Sequence, residues 1–233
     1  MLNTPDRTVK NPILVRERRA ALIRAAIDIF FEKGYHASSV TEIAKAAGVS
    51  HGSVYNYVDS KADLLFMICE DHLHGYERIV TEALAKVSDP RGRLEALLVA
   101  NVEAVFSHRK HYVVMLRELH SVERDKRHAF FELAARQRKI CEDVLREARD
   151  RGGIVLDDPL ITANILVYLP KLIVSRGWDL KGKVADEQVS AAIIAFMRRA
   201  LGLEEGATKH LLSIADTLEV ALPTHAATQG SRR

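Results

Sequence analysis

His51, Gly52, Ser53 and Asn56 fall within six consecutive positions, directly after Ser50. On one short helix these residues suit the reading of base edges. An asparagine amide pairs bidentately with adenine, and serine or histidine donates or accepts there. Gly52 lets the helix backbone approach a duplex closely. Lys61 heads a later helix, where its ammonium and the helix amides can both face a phosphate. Ser39 and Thr41 offer hydroxyls for the same role, and Ser39 serves equally as a helix cap. Residues 1–24 carry Arg7, Lys10, Arg16, Arg18, Arg19 and Arg24 against Asp6 and Glu17. A basic front end of this kind suits phosphate contact, with Arg16 at the head of the first helix.

The surrounding residues spell the elements that position those groups. Leu22, Ile23, Ala26, Ile27 and Phe30 make a helical apolar stripe. Ser39 with Glu42 fits a capping box, so a helix opens at Val40, with Ile43, Ala44 and Ala47 as its small apolar face. Gly48 tolerates the left-handed residue needed to leave that helix. Val49 plugs the angle, and Ser50 caps a second helix through about Tyr57. Two helices so joined are a helix-turn-helix, whose second helix is shaped for the major groove. Ser60 with Asp63 repeats the capping signature and starts the next helix.

Ile43-Ala44, Ala47-Gly48-Val49-Ser50, Gly52-Ser53-Val54-Tyr55, Ser60-Lys61 and Leu64-Leu65 together resemble the DNA-binding domain of TetR-family repressors, over residues 16–68. Ile23, Ala25, Ala26, Phe30 and Gly34-Tyr35 are similar to that family's first helix and its exit. One departure is Val58, where the family usually carries Phe. The resemblance implies that Tyr55 and Tyr57 hydrogen-bond phosphates and that the partner is a double-stranded operator bound by a homodimer. It implies that the helices 159–176 and 186–201 pack against the same pair of a second subunit, through Ile165, Leu169, Ile193, Phe196 and Met197. It also places a small-molecule effector inside the helical bundle between residues 70 and 180 or so. Candidate contacts there are Phe66, Tyr76, Phe106, Tyr112, Met115, Arg117, Phe130, Phe131, Tyr168 and Trp178. Arg117, Arg124, Lys126, Arg127, Arg136, Arg138 and Lys139 form a basic stretch similar to regulators of fatty-acid or acyl-coenzyme A catabolism. An acyl-coenzyme A thioester is therefore the first effector to consider.

The rest of the chain reads as helix, with no alternating run long enough for a sheet. The expected fold is all-α, with an N-terminal three-helix head and a C-terminal bundle for ligand and dimer. Its parts are a basic arm over 1–15, the helix-turn-helix domain over 16–62, the ligand-binding and dimerisation domain over 63–201, and a partly disordered extension over 202–233. A short helix is expected over 210–222. Pro170 should bend the helix 159–176, because it lacks an amide proton and clashes with the carbonyl of Leu166. Trp178, Gly182 and Lys183 fall in an expected loop.

At 233 residues the chain can bury a sizeable core. Its 48% hydrophobic and 28% charged content, with a net charge of +3, is that of an ordinary soluble protein. No phosphate-binding loop, Gly-x-Ser-x-Gly elbow or His-Glu-x-x-His pair is present, so no enzyme is expected. Cys69 and Cys141 are far apart, no secretory signal is seen, and no apolar run approaches the ~20 residues of a membrane span. A cytoplasmic protein without resident cofactor or membrane partner is expected. His72, His74, His108, His111 and His120 raise metal sensing as an alternative, and the two thiols raise redox sensing. No metal ligand set is assigned: His72 and His74, two apart, do not share a helix face, and His108 and His111, which could share one, sit at a helix end.

Overall fold

Side-chain caps set five of the helix starts among the described residues. Ser39 accepts from the Glu42 amide at 3.2 Å and Ser50 from the Ser53 amide at 3.3 Å; the expected Ser39–Glu42 box stays half formed, because the Glu42 carboxylate pairs with Lys33 instead. Ser60 accepts from the Asp63 amide at 3.2 Å, and the Asp63 carboxylate accepts in return from the Ser60 amide at 2.9 Å. Each cap satisfies an amide that the first helical turn leaves without a partner. In the computed structural model, which describes residues 12–203, these caps open α2 (Val40–Ala46), α3 (His51–Val54) and α4 (Lys61–Leu84). Before them runs α1 (Pro12–Lys33). After them come α5 (Pro90–Ser107), α6 (Arg109–Glu118), a 3-10 turn (Leu119–Ser121) and α7 (Arg124–Gly152). The chain closes with α8 (Pro159–Tyr168), a second 3-10 turn (Leu169–Lys171), α9 (Leu172–Ser175), α10 (Gly177–Leu180) and α11 (Asp186–Ala200). The described residues are all-α, with an N-terminal helical head and a C-terminal bundle.

Local details differ from the sequence reading in four places. First, α1 starts at Pro12, so Arg16 sits one turn inside it rather than at its head. Second, α3 is α-helical only to Val54. The Asn56 amide then bonds Ser53 O at 3.2 Å and the Tyr57 amide bonds Val54 O at 2.8 Å, which tightens the end into three-residue turns. Third, the helix expected over 159–176 is broken at Pro170 into α8, the 3-10 turn and α9. Fourth, Trp178 lies in the short helix α10. Arg7, Lys10 and the segments 210–222 and 223–233 lie outside the described residues.

Three cores hold the chain together. The head core gathers Leu22, Ile23, Ala26 and Phe30 of α1, Ile43 and Ala44 of α2, and Val54 and Val58 around α3. It also takes Leu64, Leu65 and Ile68 from α4, and Val114 and Val122 from beyond the head. Gly48, at φ +67°, makes the left-handed turn between α2 and α3 that a side chain would strain. The bundle core runs from Tyr76, Val80 and Leu84 of α4 through α5 and α7 to Leu166 and Met197. A smaller core of Cys69, Leu73, Tyr112, Met115 and Phe130 lies between the two.

Val58 is 4% exposed beneath α3, in a head core that is already closed around it. Val58→Phe should therefore overpack this chain, even though Phe is usual there in the family it resembles. The expected loss is about 1–3 kcal/mol in a urea denaturation series. An unchanged midpoint would show a cavity beneath α3.

Candidate nucleic-acid interface and effector region

The recognition residues are held from below and open above. Val54, fully buried, and Val58 anchor α3 to the head. His51, Gly52 and Asn56 are exposed, and Tyr55 is 41% exposed with its ring edge-on to His51 at 5.2 Å. Ser53 is half-buried, with its hydroxyl 2.7 Å from that of Ser50. Tyr57 is half-buried against the head core. Ser39, Thr41 and Arg16 are exposed. Lys61 departs from the sequence reading. Its ammonium turns inward and donates to Tyr35 O at 2.7 Å and Ser38 O at 2.9 Å, over the Tyr35 ring at 4.4 Å. Carbonyls left over at the exit of α1 attract the cation more strongly than open water does.

The proposed effector residues divide into three sets. Phe66, Tyr112, Met115 and Phe130 meet in or against the small core beside α4. Tyr76 and Phe106 belong to the bundle core, where Tyr76 Oη donates to Asn101 Oδ1 at 2.5 Å. Phe131 (54%), Tyr168 (59%) and Trp178 (73%) are exposed, as is Arg117, so they are surface groups and not lining of the bundle interior. The basic stretch is partly spent on partners: Arg138 on Glu142, Lys139 on Asp143, and Lys126 on Asp63 and Glu123. Two clefts open on the flank of the bundle. One of about 410 Å³ lies between α1 and the α5–α6 junction, lined by Arg24, Asp28, Phe106, Lys110 and His111. Another of about 460 Å³ lies between Phe31, Arg109, Ile173, Leu180 and Val189.

Two polar features stand out: the half-buried Lys171, which the sequence reading missed, and a histidine cluster whose members it weighed only as metal-sensing candidates. Lys171, in the turn forced by Pro170, points its ammonium between the Tyr112 ring (5.4 Å) and the Tyr168 ring (5.9 Å). Burial pulls its pKa down to about 8. A lysine inside the apolar run from Ile165 to Ile173 was the available signal. The second feature is a histidine cluster. His72 on α4 meets His108 and His111 at α6, with ring centroids 5.9 and 6.4 Å away, and the latter two stand 5.0 Å apart. His111 Nε2 pairs with Asp71 at 3.0 Å, while the buried Nδ1 of His72 has no hydrogen-bond partner among the described residues. Gly75 makes room for the cluster: a Cβ there would sit 2.3 Å from His108 Nε2. Cys69 and Cys141 are buried in different cores, and burial pushes both thiols up to about 12. At neutral pH neither is a thiolate, the form that oxidants attack.

Residues 22–68 match the family profile described as bacterial regulatory proteins, tetR family, and residues 87–201 match the tetracyclin repressor-like C-terminal domain. The chain belongs to the TetR family. It is 31% identical over 175 residues to the HTH-type transcriptional regulator HbdR of Aromatoleum sp. (strain CIB), covering 74% of this chain and 73% of that one. It is 25% identical to the solved TetR-family regulator PfmR of Thermus thermophilus, with a TM-score of 0.66 over 76% of this chain and 97% of that one. AibR, solved with isovaleryl coenzyme A and operator DNA, shares the fold at 22% identity and a TM-score of 0.64, over 77% and 97% of the two chains. This chain is thus a DNA-binding transcription regulator of the TetR family and not an enzyme.

In this TetR-family chain α8 and α11 carry a bare apolar face. Ile161 (59%), Ile165 (54%) and Phe196 (57%) are exposed, while Leu169 and Ile193 are half-buried. Met197 is fully buried in the chain's own bundle core, so it offers a second subunit no surface. Successive helix residues point ~100° apart, which is why Phe196 faces out when Met197 faces in.

The histidine cluster gives the TetR-family bundle a pH dependence. Burial, aided by the His108 charge, pulls the His72 pKa from 6.5 down to about 3. Between those values the unfolded chain takes up a proton that the folded chain refuses. Stability is therefore whole above pH 6.5 and falls as the pH drops toward 3. The slope from this one group should approach about 1.4 kcal/mol per pH unit. His72→Leu should flatten the wild-type stability curve over that window. Equal slopes for the two proteins in denaturant titrations would assign the pH dependence elsewhere.

Proposed function

We propose that the chain is a homodimeric repressor that binds a near-palindromic duplex through α3 and releases it when a small amphipathic effector enters the bundle. The observation that carries this reading is the open row of His51, Gly52, Asn56 and Tyr55, capped into place at the end of a head that shares α4 with the bundle. The working division is a head over 16–62 and a bundle over 63–201. Two α3 helices related by a twofold axis reach successive major grooves about 34 Å apart or a multiple of that. Any tilt of α4 changes that spacing. An effector needs a preference of only about 1–3 kcal/mol for the spread state to change occupancy 5- to 150-fold.

An acyl-coenzyme A thioester is the first effector to test. Support comes from AibR, solved with isovaleryl coenzyme A, and from the mixed character of the interior. The small core of Leu73, Met115 and Phe130 suits an acyl chain, while the sheltered cation of Lys171 and the Tyr112 hydroxyl offer partners to a thioester oxygen or an anion. The paired state of Arg138, Lys139 and Lys126 shifts the weight from the basic stretch to this half-buried cation. A chain-length series of thioesters titrated into the protein–DNA complex tests the reading. Release at tens of micromolar supports it, and release only by a metal ion or a thiol oxidant overturns it.

The contacts themselves separate by role. Asn56→Ala should relax preference at one base position, at a cost of roughly 1–3 kcal/mol. Tyr55→Phe should weaken all sequences alike, since phosphate contacts carry no sequence information. Selection from a randomised operator library reads both, and the reverse pattern would exchange the two roles.

The dimer reading rests on α8 and α11. A twofold interface is self-complementary, so Phe196→Asp places a charge in it twice. Light scattering at micromolar concentration should show the wild type as a dimer and the variant as a monomer. A monomeric wild type removes the interface.

A further inference from the structure

We infer that His36, Glu118 and His120 form a binding site for a divalent transition-metal ion of the zinc class, one that fastens the head to the bundle. His36 lies in the turn between α1 and α2. Glu118 ends α6, and His120 sits in the 3-10 turn that follows. One ligand atom from each lies within 4.8 Å of the other two. Among the described residues this is the one set of three such side chains whose ligand atoms come so close.

The spacing fits an ion better than it fits direct contact. The three groups form no ion pair with one another or with any other described residue. Around one ion with bonds of about 2.0–2.2 Å, tetrahedral ligands stand about 3.4 Å apart. Closing from within 4.8 Å to that spacing takes rotation of side-chain ends, which His36 and His120, exposed, and Glu118, half-buried, can make. Two imidazoles and a carboxylate are a zinc-type set, and solvent access leaves the fourth position to water. Magnesium and calcium prefer all-oxygen shells, so the two imidazoles select against them.

The backbones that carry the ligands are already fixed. Lys61 draws in the carbonyls of Tyr35, His36 and Ser38, and Ser38 Oγ donates to Tyr35 O at 2.6 Å. The buried Tyr35 ring stands edge-on to Phe30 and to His36, both at 5.3 Å. On the other side, Leu119 and Val122 seat the 3-10 turn in the same head core. Ordering a bound ion therefore costs little beyond three side-chain rotations. One ligand belongs to the head and two to the bundle, so the ion restrains the movement by which an effector would shift α3. That consequence rests on the function proposed above, whereas ion binding itself does not.

The experiment uses the full chain, stripped of metal, without DNA or effector. Cobalt(II) is added first, for the visible bands of a tetrahedral site, and zinc(II) then displaces it in a calorimeter. One ion per chain is expected. His36→Ala and His120→Ala should each weaken zinc binding by about tenfold or more. His36→Gln, read by circular dichroism beside wild type, guards against simple misfolding. His111→Ala, in the buried cluster beside α4, should leave the affinity unchanged. Zinc should raise the melting temperature of wild type and not that of the His36 variants. No saturable binding at or below about 100 µM overturns the site. So does binding that survives His36→Ala with His120→Ala and is lost in His111→Ala.

Discussion

A single helix belongs to two cores, and most of the molecule follows from that. Leu64, Leu65 and Ile68 at the start of α4 are fully buried in the head core, while Tyr76, Val80 and Leu84 on the same helix are buried in the bundle core. Over its 24 residues the helix spans about 36 Å. A sharp kink between the two cores would break its ladder of hydrogen bonds. The head therefore moves with α4 or not at all. The capping box of Ser60 and Asp63 fixes where the rod begins, and α3 ends only seven residues earlier.

The head is joined to the bundle by more than that rod, and magnitudes decide which joint matters. Arg19 reaches Glu70 at 3.0 Å, and Lys110 reaches Asp28 at 2.5 Å. Both pairs are substantially exposed, and exposed pairs are worth about 0–1 kcal/mol each. Val114 and Val122, almost fully buried in the head core, contribute on the order of 1.5–3 kcal/mol each by leaving water. The apolar seam thus does most of the joining, and the ion pairs set its register.

Between the cores the chain tolerates polar groups that a purely structural bundle would shed. Among the described residues, His72 has a buried nitrogen and Asn101 a buried amide, beside the Tyr76 hydroxyl, without a hydrogen-bond partner, and Lys171 holds a half-buried cation. Each such group costs roughly 1–3 kcal/mol when left unsatisfied. They lie on α4, on α5 and in the 3-10 turn at Pro170.

The sequence by itself determined the local events: the caps at Ser39, Ser50 and Ser60, the left-handed Gly48, an interruption at Pro170 (read as a bend, found as a break) and the apolar stripes. These depend on residues three or four apart, which the chain order already places together. The exposed row on α3 was legible for the same reason. Tertiary structure alone decided which way longer side chains turn. Lys61 faces carbonyls 23 to 26 positions away, and Met197 turns inward where Phe196 turns out. It also decided which distant groups meet: His72 with His108 and His111, and His36 with Glu118 and His120. Periodicity assigns a residue to a face of its own helix. What stands opposite that face is set by how the helices pack, and a single sequence carries no local record of it.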